Sequence, residues 1–136
     1  MGLYIGGTSS NNHYDDYEEG VWTPSDASGS NVTITQTSSP SHYLKVGRFV
    51  MVTFDVQYGS TGSGSLARMT APFSAENYGS GTVGWNAVGL PLFIHWSVSN
   101  LYIMRNNSGS GNNKHVPNDT LSGKRFIGTA IGYTTS

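Results

Sequence analysis

Aromatic side chains next to polar ones are the strongest candidates for chemistry in this chain. Flat aromatic rings pack against the C–H face of sugars, while amide, imidazole and guanidinium groups bond the hydroxyls. Trp85 with Asn86, and His95 with Trp96, combine both types at adjacent positions. We therefore predict a receptor- or carbohydrate-binding site from seven residues: Tyr78, Trp85, Asn86, His95, Trp96, Tyr102 and Arg105.

The same residue types also fill β-sheet cores, because large rings bury much apolar area. Trp22, which is followed by Pro24, is expected in the core. Trp96 lies close to Phe93 and Ile94, and this context is as compatible with the core as with a binding site.

Catalytic motifs find little support. The 19 serines include none in a Gly-x-Ser-x-Gly elbow, and no Gly-Lys-Ser/Thr follows the glycine-rich segments. Glycoside hydrolysis requires two neighbouring carboxylates, for which Asp55 and Glu76 are the candidates. We expect no enzymatic activity, and the alternative is a small polysaccharide-degrading domain with this pair in a cleft.

Neither the acids nor the histidines show metal-ligand spacing. Asp15, Asp16, Glu18 and Glu19 are clustered but do not match an EF-hand loop. A solvated connector, or acids paired with Lys or Arg, explains them better. No His-x-His or HExxH motif relates the four histidines, so we expect no metal and no cofactor; they are His13, His42, His95 and His115.

Composition excludes several classes of protein. The chain has 136 residues, a net charge of −1 and no cysteine. This predicts one domain, or one domain with an appendage, and argues against nucleic-acid binding, disulfides and thiolate chemistry. No apolar run approaches the roughly 20 residues that span a bilayer, and we expect no secretory signal at the start.

The elements that must position the candidates are strands. Although 61 residues are Gly, Ser, Thr or Asn, 16 aromatic residues oppose disorder. Strict alternation over 49–58 and 125–133 predicts half-buried strands, and a turn at Gly47–Arg48 predicts a hairpin with 43–46. Further short strands are predicted at 32–36, 66–70, 81–89, 90–98 and 101–105, with loops at 59–65 and 106–113.

Eight or nine short strands without a helical period predict an all-β chain, an antiparallel β-sandwich of jelly-roll type. One face of the last strand carries small residues and is a candidate subunit seam. That face consists of Phe126, Gly128, Ala130 and Gly132.

One segment resembles a known family. The sequence Asp15–Pro24, DDYEEGVWTP, resembles the DDYEEGTWTP element of tailed-phage tail fibres and related virion proteins. Residues 2–8 are similar to the glycine-rich strand that often precedes this element, and 43–50 to the family's Y-x-K-x-G-x-x-V hairpin. Residues 69–73 resemble its GLPF turn loosely, 126–133 resemble its final strand, and 74–124 carry no match.

The resemblance implies a homotrimeric head at the distal tip of a phage fibre. It implies a neck and oligomerisation segment at 1–20, a receptor-binding β-sandwich head at 21–136, and a Met1 that begins a fragment of a longer fibre protein. The implied partners are the rest of the fibre and a host polysaccharide or outer-membrane protein, without nucleic acid or membrane insertion. The implied location is the virion, assembled in the host cytoplasm. The motif belongs to the scaffold and transfers no binding residue; a purely structural cap is the third hypothesis.

Overall fold

The computed structural model describes residues 3–4, 13–14, 17–106 and 113–134. The prediction of an all-β chain is confirmed. The strands are β1 (Leu3–Tyr4), β2 (His13–Tyr14), β3 (Tyr17–Trp22), β4 (Ile34–Gln36), β5 (Ser41–Val46), β6 (Phe49–Tyr58), β7 (Arg68–Thr70), β8 (Gly79–Asn86), β9 (Leu92–Ser97), β10 (Asn100–Asn106), β11 (Asn113–His115) and β12 (Arg125–Tyr133), with one short helix, α1 (Asn118–Leu121).

Ten of these strands form one antiparallel sheet. Its order is β11-β10-β9-β8-β12-β6-β5-β3, with β7 also beside β10 and β4 also beside β6. Strands β1 and β2 pair separately. The sheet is not closed into a barrel, and the predicted antiparallel pairing is confirmed.

The central hairpin follows the predicted alternation. In β6 the side chains of Val50, Val52, Phe54 and Val56 are buried, and the residues that alternate with them are more exposed. The turn to β5 uses Gly47 with φ 59°, a left-handed conformation that glycine adopts at little cost. Val46 then pairs with Phe49, which confirms the hairpin.

The core lies on one face of the sheet. Buried side chains of β6 and β12 join those of β9 and β10 in a single cluster. Because the segment after β3 is also bonded to both parts of the sheet, we infer that the sheet is curled around this core. The Thr70 amide donates to the Ser25 carbonyl at 2.9 Å, whereas β4, a few residues later, pairs with β6.

Glycines allow the Trp96 ring to lie against β12. Trp96 is wholly buried, and its ring sits where a Cβ on Gly132 would approach it at 3.0 Å. On β8, a Cβ at Gly79 or Gly81 would collide with carbonyl oxygens of β12. Trp22 is also buried, with its Nε1 donating to the His42 carbonyl at 3.3 Å, so its predicted core position is confirmed.

The predicted subunit seam is wrong. Phe126 and Ala130 are buried, and a Cβ on Gly128 would meet the Phe54 ring, because this face of β12 packs on the core. The other face carries the exposed apolar side chains of Ile127, Ile131 and Tyr133. Glycine and alanine on β12 make room for core rings of the same chain.

Strand β3 crosses the predicted boundary between neck and head. Residues 17–20 pair with β5 in the same register as Val21 and Trp22. The rest of the predicted neck lies largely outside the described residues, as do residues 107–112 of the second predicted loop. The division at residue 20 remains a prediction.

The first glycine-rich loop is held by serine and threonine hydroxyls. The Ser63 amide donates to the Thr61 hydroxyl at 3.1 Å, and the Ser63 hydroxyl lies 2.8 Å from that of Ser30. The Thr61 amide donates to the hydroxyl of Ser122 at 2.9 Å. In this segment, side-chain hydrogen bonds take the place of the backbone hydrogen bonds between strands. They give the predicted loop at 59–65 a defined path.

Candidate functional site

Four rings from neighbouring parts of the sheet form one line on its outer face. The Tyr78 and His95 centroids are 5.0 Å apart, those of His95 and Tyr102 are 6.0 Å apart, and those of Tyr102 and His115 are 5.1 Å apart. We call Tyr78, His95, Tyr102 and His115 the aromatic row. These separations fall within the range of favourable aromatic contacts.

Strand register aligns the aromatic row. Tyr102 on β10 pairs directly with His95 on β9, and Tyr78 immediately precedes β8, whose Gly79 pairs with Trp96. Because side chains alternate along a strand, burying Leu101 and Ile103 turns Tyr102 outward, and burying Trp96 does the same for His95. The apolar core positions therefore place the polar rings at the surface.

Arg68 borders the aromatic row at Tyr102, its partner in the β7–β10 pairing. Its Nη1 donates to the Tyr102 hydroxyl at 2.8 Å, and its Nε donates to the Ala27 carbonyl at 2.7 Å. The Ala27 amide in turn donates to the Arg68 carbonyl at 3.0 Å. Bonds at both ends hold the guanidinium in one orientation beside the ring.

Two loops form the opposite wall, and Asn118 anchors both. The side-chain Nδ2 of Asn118 donates to the Ser28 hydroxyl at 2.8 Å, and its backbone N–H donates to the Ser65 carbonyl at 2.9 Å. Its Oδ1 accepts a bond of 3.0 Å from the buried Tyr58 hydroxyl. Together with the aromatic row and Arg68 these walls enclose about 470 Å³, and we call this space the groove. Its other lining residues are Ser28, Ser65, Leu66 and Ser97.

Among the residues that the structure describes, only basic and neutral side chains line the groove. Arg68, His95 and His115 carry or can gain positive charge, and none of the described lining residues is acidic. Burial, reinforced by the charge of His95, lowers the pKa of His115. Its Nδ1 is buried and has no hydrogen-bond partner among the described residues, which also disfavours a second N–H there.

Asp26 is bonded to the lining residue Ser28, but its carboxylate is engaged in the loop. It accepts bonds from the Ser28 amide at 2.9 Å and the Ser28 hydroxyl at 2.6 Å, and from the Val32 amide at 3.2 Å. Burial alone would raise the pKa of Asp26, but these bonds outweigh it and hold the pKa below its ordinary value. The carboxylate therefore shapes the loop rather than lining the groove.

The structure brings three of the seven predicted site residues together. Tyr78, His95 and Tyr102 all line the groove. Trp96 is fully buried, and its Nε1 donates to the Val98 carbonyl at 3.0 Å, so its assignment to a binding surface is wrong. Arg105 alternates to the face of β10 opposite Tyr102 and does not line the groove.

Asn86 stabilises a turn. Its Oδ1 accepts bonds from the Val88 and Gly89 amides at 3.0 and 3.1 Å, and its Nδ2 donates to the Leu90 carbonyl at 3.0 Å. Gly89, with φ 80°, completes the reversal between β8 and β9. The Asn86 side-chain amide therefore makes its hydrogen bonds to the backbone of this turn.

Trp85 is exposed but stands apart from the groove. Trp85 pairs with Ile127 on β12. His95 pairs with Ser80 on β8, and Ser80 in turn pairs with Ile131 on β12. Four residues of strand correspond to about 14 Å. The Trp85 ring instead contacts the guanidinium of Arg125 at 5.6 Å.

Two of the three basic groove residues, Arg68 and His115, were not predicted as site residues from the sequence. His115 lies on the short strand β11 in an Asn-rich stretch, and Arg68 lies on the three-residue strand β7. A usable signal for Arg68 was a basic residue between two core residues, Ala67 and Met69. No local pattern indicates that His115 meets Tyr102, because β11 is placed by pairing rather than by periodicity.

The carboxylates of the enzymatic alternative do not meet. Asp55 pairs with Ile127 on β12, whereas the Glu76 amide bonds the carbonyl of Tyr133. Six residues of strand correspond to about 20 Å, beyond the separation of known glycosidase pairs. Asp55 forms a bidentate pair with Arg125 at 2.6 and 2.8 Å, and this bonding holds the pKa of Asp55 below its ordinary value.

The described part of the acidic cluster bonds to tyrosines. Glu18 accepts from the Tyr43 hydroxyl at 2.6 Å, and Glu19 accepts from the Tyr17 hydroxyl at 2.7 Å. The bond to Glu18 raises the pKa of Tyr43. Within residues 3–4, 13–14, 17–106 and 113–134, no three acids or histidines are placed to hold a metal ion.

In the same part of the chain, no helix has the length and apolar character needed to cross a membrane. Comparison with protein-family models, curated proteins and solved structures finds no match to this chain. The resemblance to phage fibre tips therefore rests on the sequence motifs alone.

Proposed function

We propose that this chain is a non-enzymatic binding module, the receptor-binding tip of a phage tail fibre, and that its groove binds a polysaccharide on the host surface. The binding part rests on one observation, the aromatic row with Arg68 bonded beside it. The fibre-tip part rests on the resemblance of the Asp15–Pro24 segment.

The chemistry of the groove suits a sugar. Tyr78 is 78% exposed and offers a ring face to a C–H surface, while Ser65 and Ser97 offer hydroxyls to a polar one. The enclosed volume of about 470 Å³ falls in the usual range for small-molecule sites. A short stretch of polysaccharide presents both kinds of surface along its length.

We further propose that three copies associate through the outer face of β5, β6 and β12. The apolar sheet face comprises Leu44, Phe49, Met51, Ile131 and Tyr133. In register, Ile131 faces Met51 and Met51 faces Leu44, while Tyr133 packs edge-on against Phe49 at 6.0 Å. Ile131 and Tyr133 are 45% and 58% exposed, and contiguous apolar surface of this kind marks association sites.

A trimer would strengthen weak binding to a repeating receptor. Linked sites act at high effective concentration, so three grooves gain avidity without new contacts. In this proposal the curled sheet forms a jelly-roll-like sandwich. The remainder of the fibre precedes it, and the virion carries it to the host surface. Nucleic acid and membrane insertion have no part in this function.

The test is binding to bacteria whose surfaces have been selectively stripped. Labelled chain is applied to encapsulated and capsule-deficient strains, with one portion treated with periodate, which cleaves sugars, and one with proteinase K. We expect binding to at least one strain that survives protease and is lost after periodate. The reverse sensitivity would indicate an outer-membrane protein, and no binding to any strain would favour a structural cap and overturn the proposal.

A further inference from the structure

The groove concentrates basic groups around one ring, and this arrangement deepens the proposed function on which it rests. Arg68, His95 and His115 all contact Tyr102. The chain as a whole has a net charge of −1, so this local excess of basic groups is not an average property. We infer that the groove selects acidic sugars, those bearing a carboxylate or phosphate group, over neutral ones.

Arg68 is the group oriented for an anion. Its Nε and Nη1 are occupied by the Ala27 carbonyl and the Tyr102 hydroxyl, which leaves Nη2 without a partner among the described residues. Arg48 and Arg125, by contrast, are paired with Glu76 and Asp55. A guanidinium fixed by neutral partners keeps its full charge for a ligand, and charge-assisted bonds to oxyanions are among the strongest.

His115 makes the selection depend on pH. Burial and the charge of His95 lower the pKa of His115, so His115 is largely uncharged near neutral pH. An anion bound beside His115 stabilises the charged form of this imidazole and therefore binds with proton uptake. Binding to an acidic sugar strengthens as the pH falls.

No carboxylate of the described residues lines the groove. The titratable groups that face the two histidines are the hydroxyls of Tyr78 and Tyr102 and the guanidinium of Arg68. Asp26 lies behind Ser28 with its oxygens bonded to the Ser28 and Val32 amides. The basic groups of the groove are therefore free to meet an external anion.

The experiment compares matched acidic and neutral polysaccharides by biolayer interferometry. Immobilised probes are polygalacturonate and alginate, the same polymers after carboxyl reduction, a teichoic acid as a phosphate source, and dextran and mannan as neutral references. The chain is measured at about pH 7.5 and 5.5. We expect tighter binding to an acidic probe than to its reduced form, and several-fold tightening at the lower pH.

Two variants with equal charge loss separate the groove from general attraction. We expect Arg68→Gln to weaken binding about tenfold or more, as for loss of one charge-assisted bond. Lys124→Gln removes an exposed cation that does not line the groove, and we expect it to change binding little. Tighter binding of the chain to the carboxylate polymers than to the teichoic acid indicates that the groove recognises a carboxylate. The opposite order indicates a phosphate.

The outcomes distinguish this inference from the function beneath it. Equal binding to acidic and reduced probes, or equal losses in the two variants, overturns the acidic preference and leaves polysaccharide binding intact. Periodate-sensitive binding to cells without any preference for acidic probes likewise overturns the acidic preference but not polysaccharide binding. Failure to bind every probe and every bacterial strain overturns both.

Discussion

The Tyr102 hydroxyl accepts a hydrogen bond of 2.8 Å from Arg68, and the same ring contacts His95 on one side and His115 on the other. This residue therefore joins the basic and the aromatic parts of the groove. Its position follows from β10, where buried Leu101 and Ile103 turn it outward.

Replacing Tyr102 by phenylalanine tests the value of that bond. Tyr102→Phe keeps the ring but frees the Arg68 guanidinium, so we expect about tenfold weaker binding to acidic polysaccharide, as for loss of a bond to a charged group. Affinity is measured by interferometry, with circular dichroism to confirm an unchanged fold. Wild-type affinity in this variant would show that Arg68 needs no support from the phenol.

Tyr78 and Trp85 are both exposed aromatics, and only Tyr78 lines the groove. Tyr78 lies in the groove, and Trp85 lies about 14 Å away along the strands. We expect Tyr78→Ala to weaken binding about threefold to tenfold, the value of one aromatic contact, with little effect on stability. Trp85→Ala should bind as the wild type does, and a larger loss in Trp85→Ala would move the site to β8.

Stability should fall on acidification through His115. Its folded-state pKa is below the ordinary value of about 6.5, so its contribution is present above that value and is lost as the pH falls through the lowered pKa. We expect the melting temperature of His115→Gln to change less between about pH 7.5 and 5 than that of the wild type. His42→Gln, at an exposed site, is the control, and equal slopes in all three proteins would contradict the assignment.

Asp55 is predicted to stabilise the sheet without serving catalysis. Its folded-state pKa is lowered by Arg125, so this stabilisation is fully present above the ordinary value of about 3.9 and is lost as the pH falls through the lowered pKa. Asp55→Asn should melt earlier than the wild type at neutral pH, with a difference that narrows as the pH falls toward 3. Release of reducing ends from polysaccharide by the wild type, abolished in Asp55→Asn, would instead support an enzyme.

The apolar sheet face predicts the oligomeric state. Ile131 is 45% exposed at its centre, beside Met51. We expect sedimentation equilibrium to give the mass of three chains at micromolar concentration for the wild type and of one chain for Ile131→Lys, because a buried unpaired charge opposes association. Ser60→Lys, at an exposed position of the 59–65 loop far from this face, is the control and should remain trimeric. A wild-type monomer would contradict the proposal.

Much of the fold was predictable because half-buried strands have a period of two. The strand over 125–133 and the 43–58 hairpin were found because buried and exposed residues alternate in both. Which face of β12 meets the core was misassigned, since small residues at Gly128 and Gly132 serve equally well for a subunit contact or for a core ring. Only the positions of Phe54 and Trp96 decide between them.

The candidate site was predictable in composition but not in assembly. Tyr78, His95 and Tyr102 are recognisable by residue type, whereas their meeting with Arg68 and His115 depends on pairing between β7, β10 and β11. Short strands of three residues carry too little periodicity to be registered from sequence. Trp96 is next to His95 in the sequence and is also aromatic, but its side chain lies on the opposite, buried face of β9.

Ligand binding in the groove is tested by an NMR titration of the aromatic signals with oligosaccharides cut from the polysaccharide that binds best. We expect the largest shifts in the rings of Tyr78, His95, Tyr102 and His115, and unchanged signals from Trp85. Shifts centred on Trp85 or on the apolar sheet face, with the aromatic row unaffected, would contradict binding in the groove.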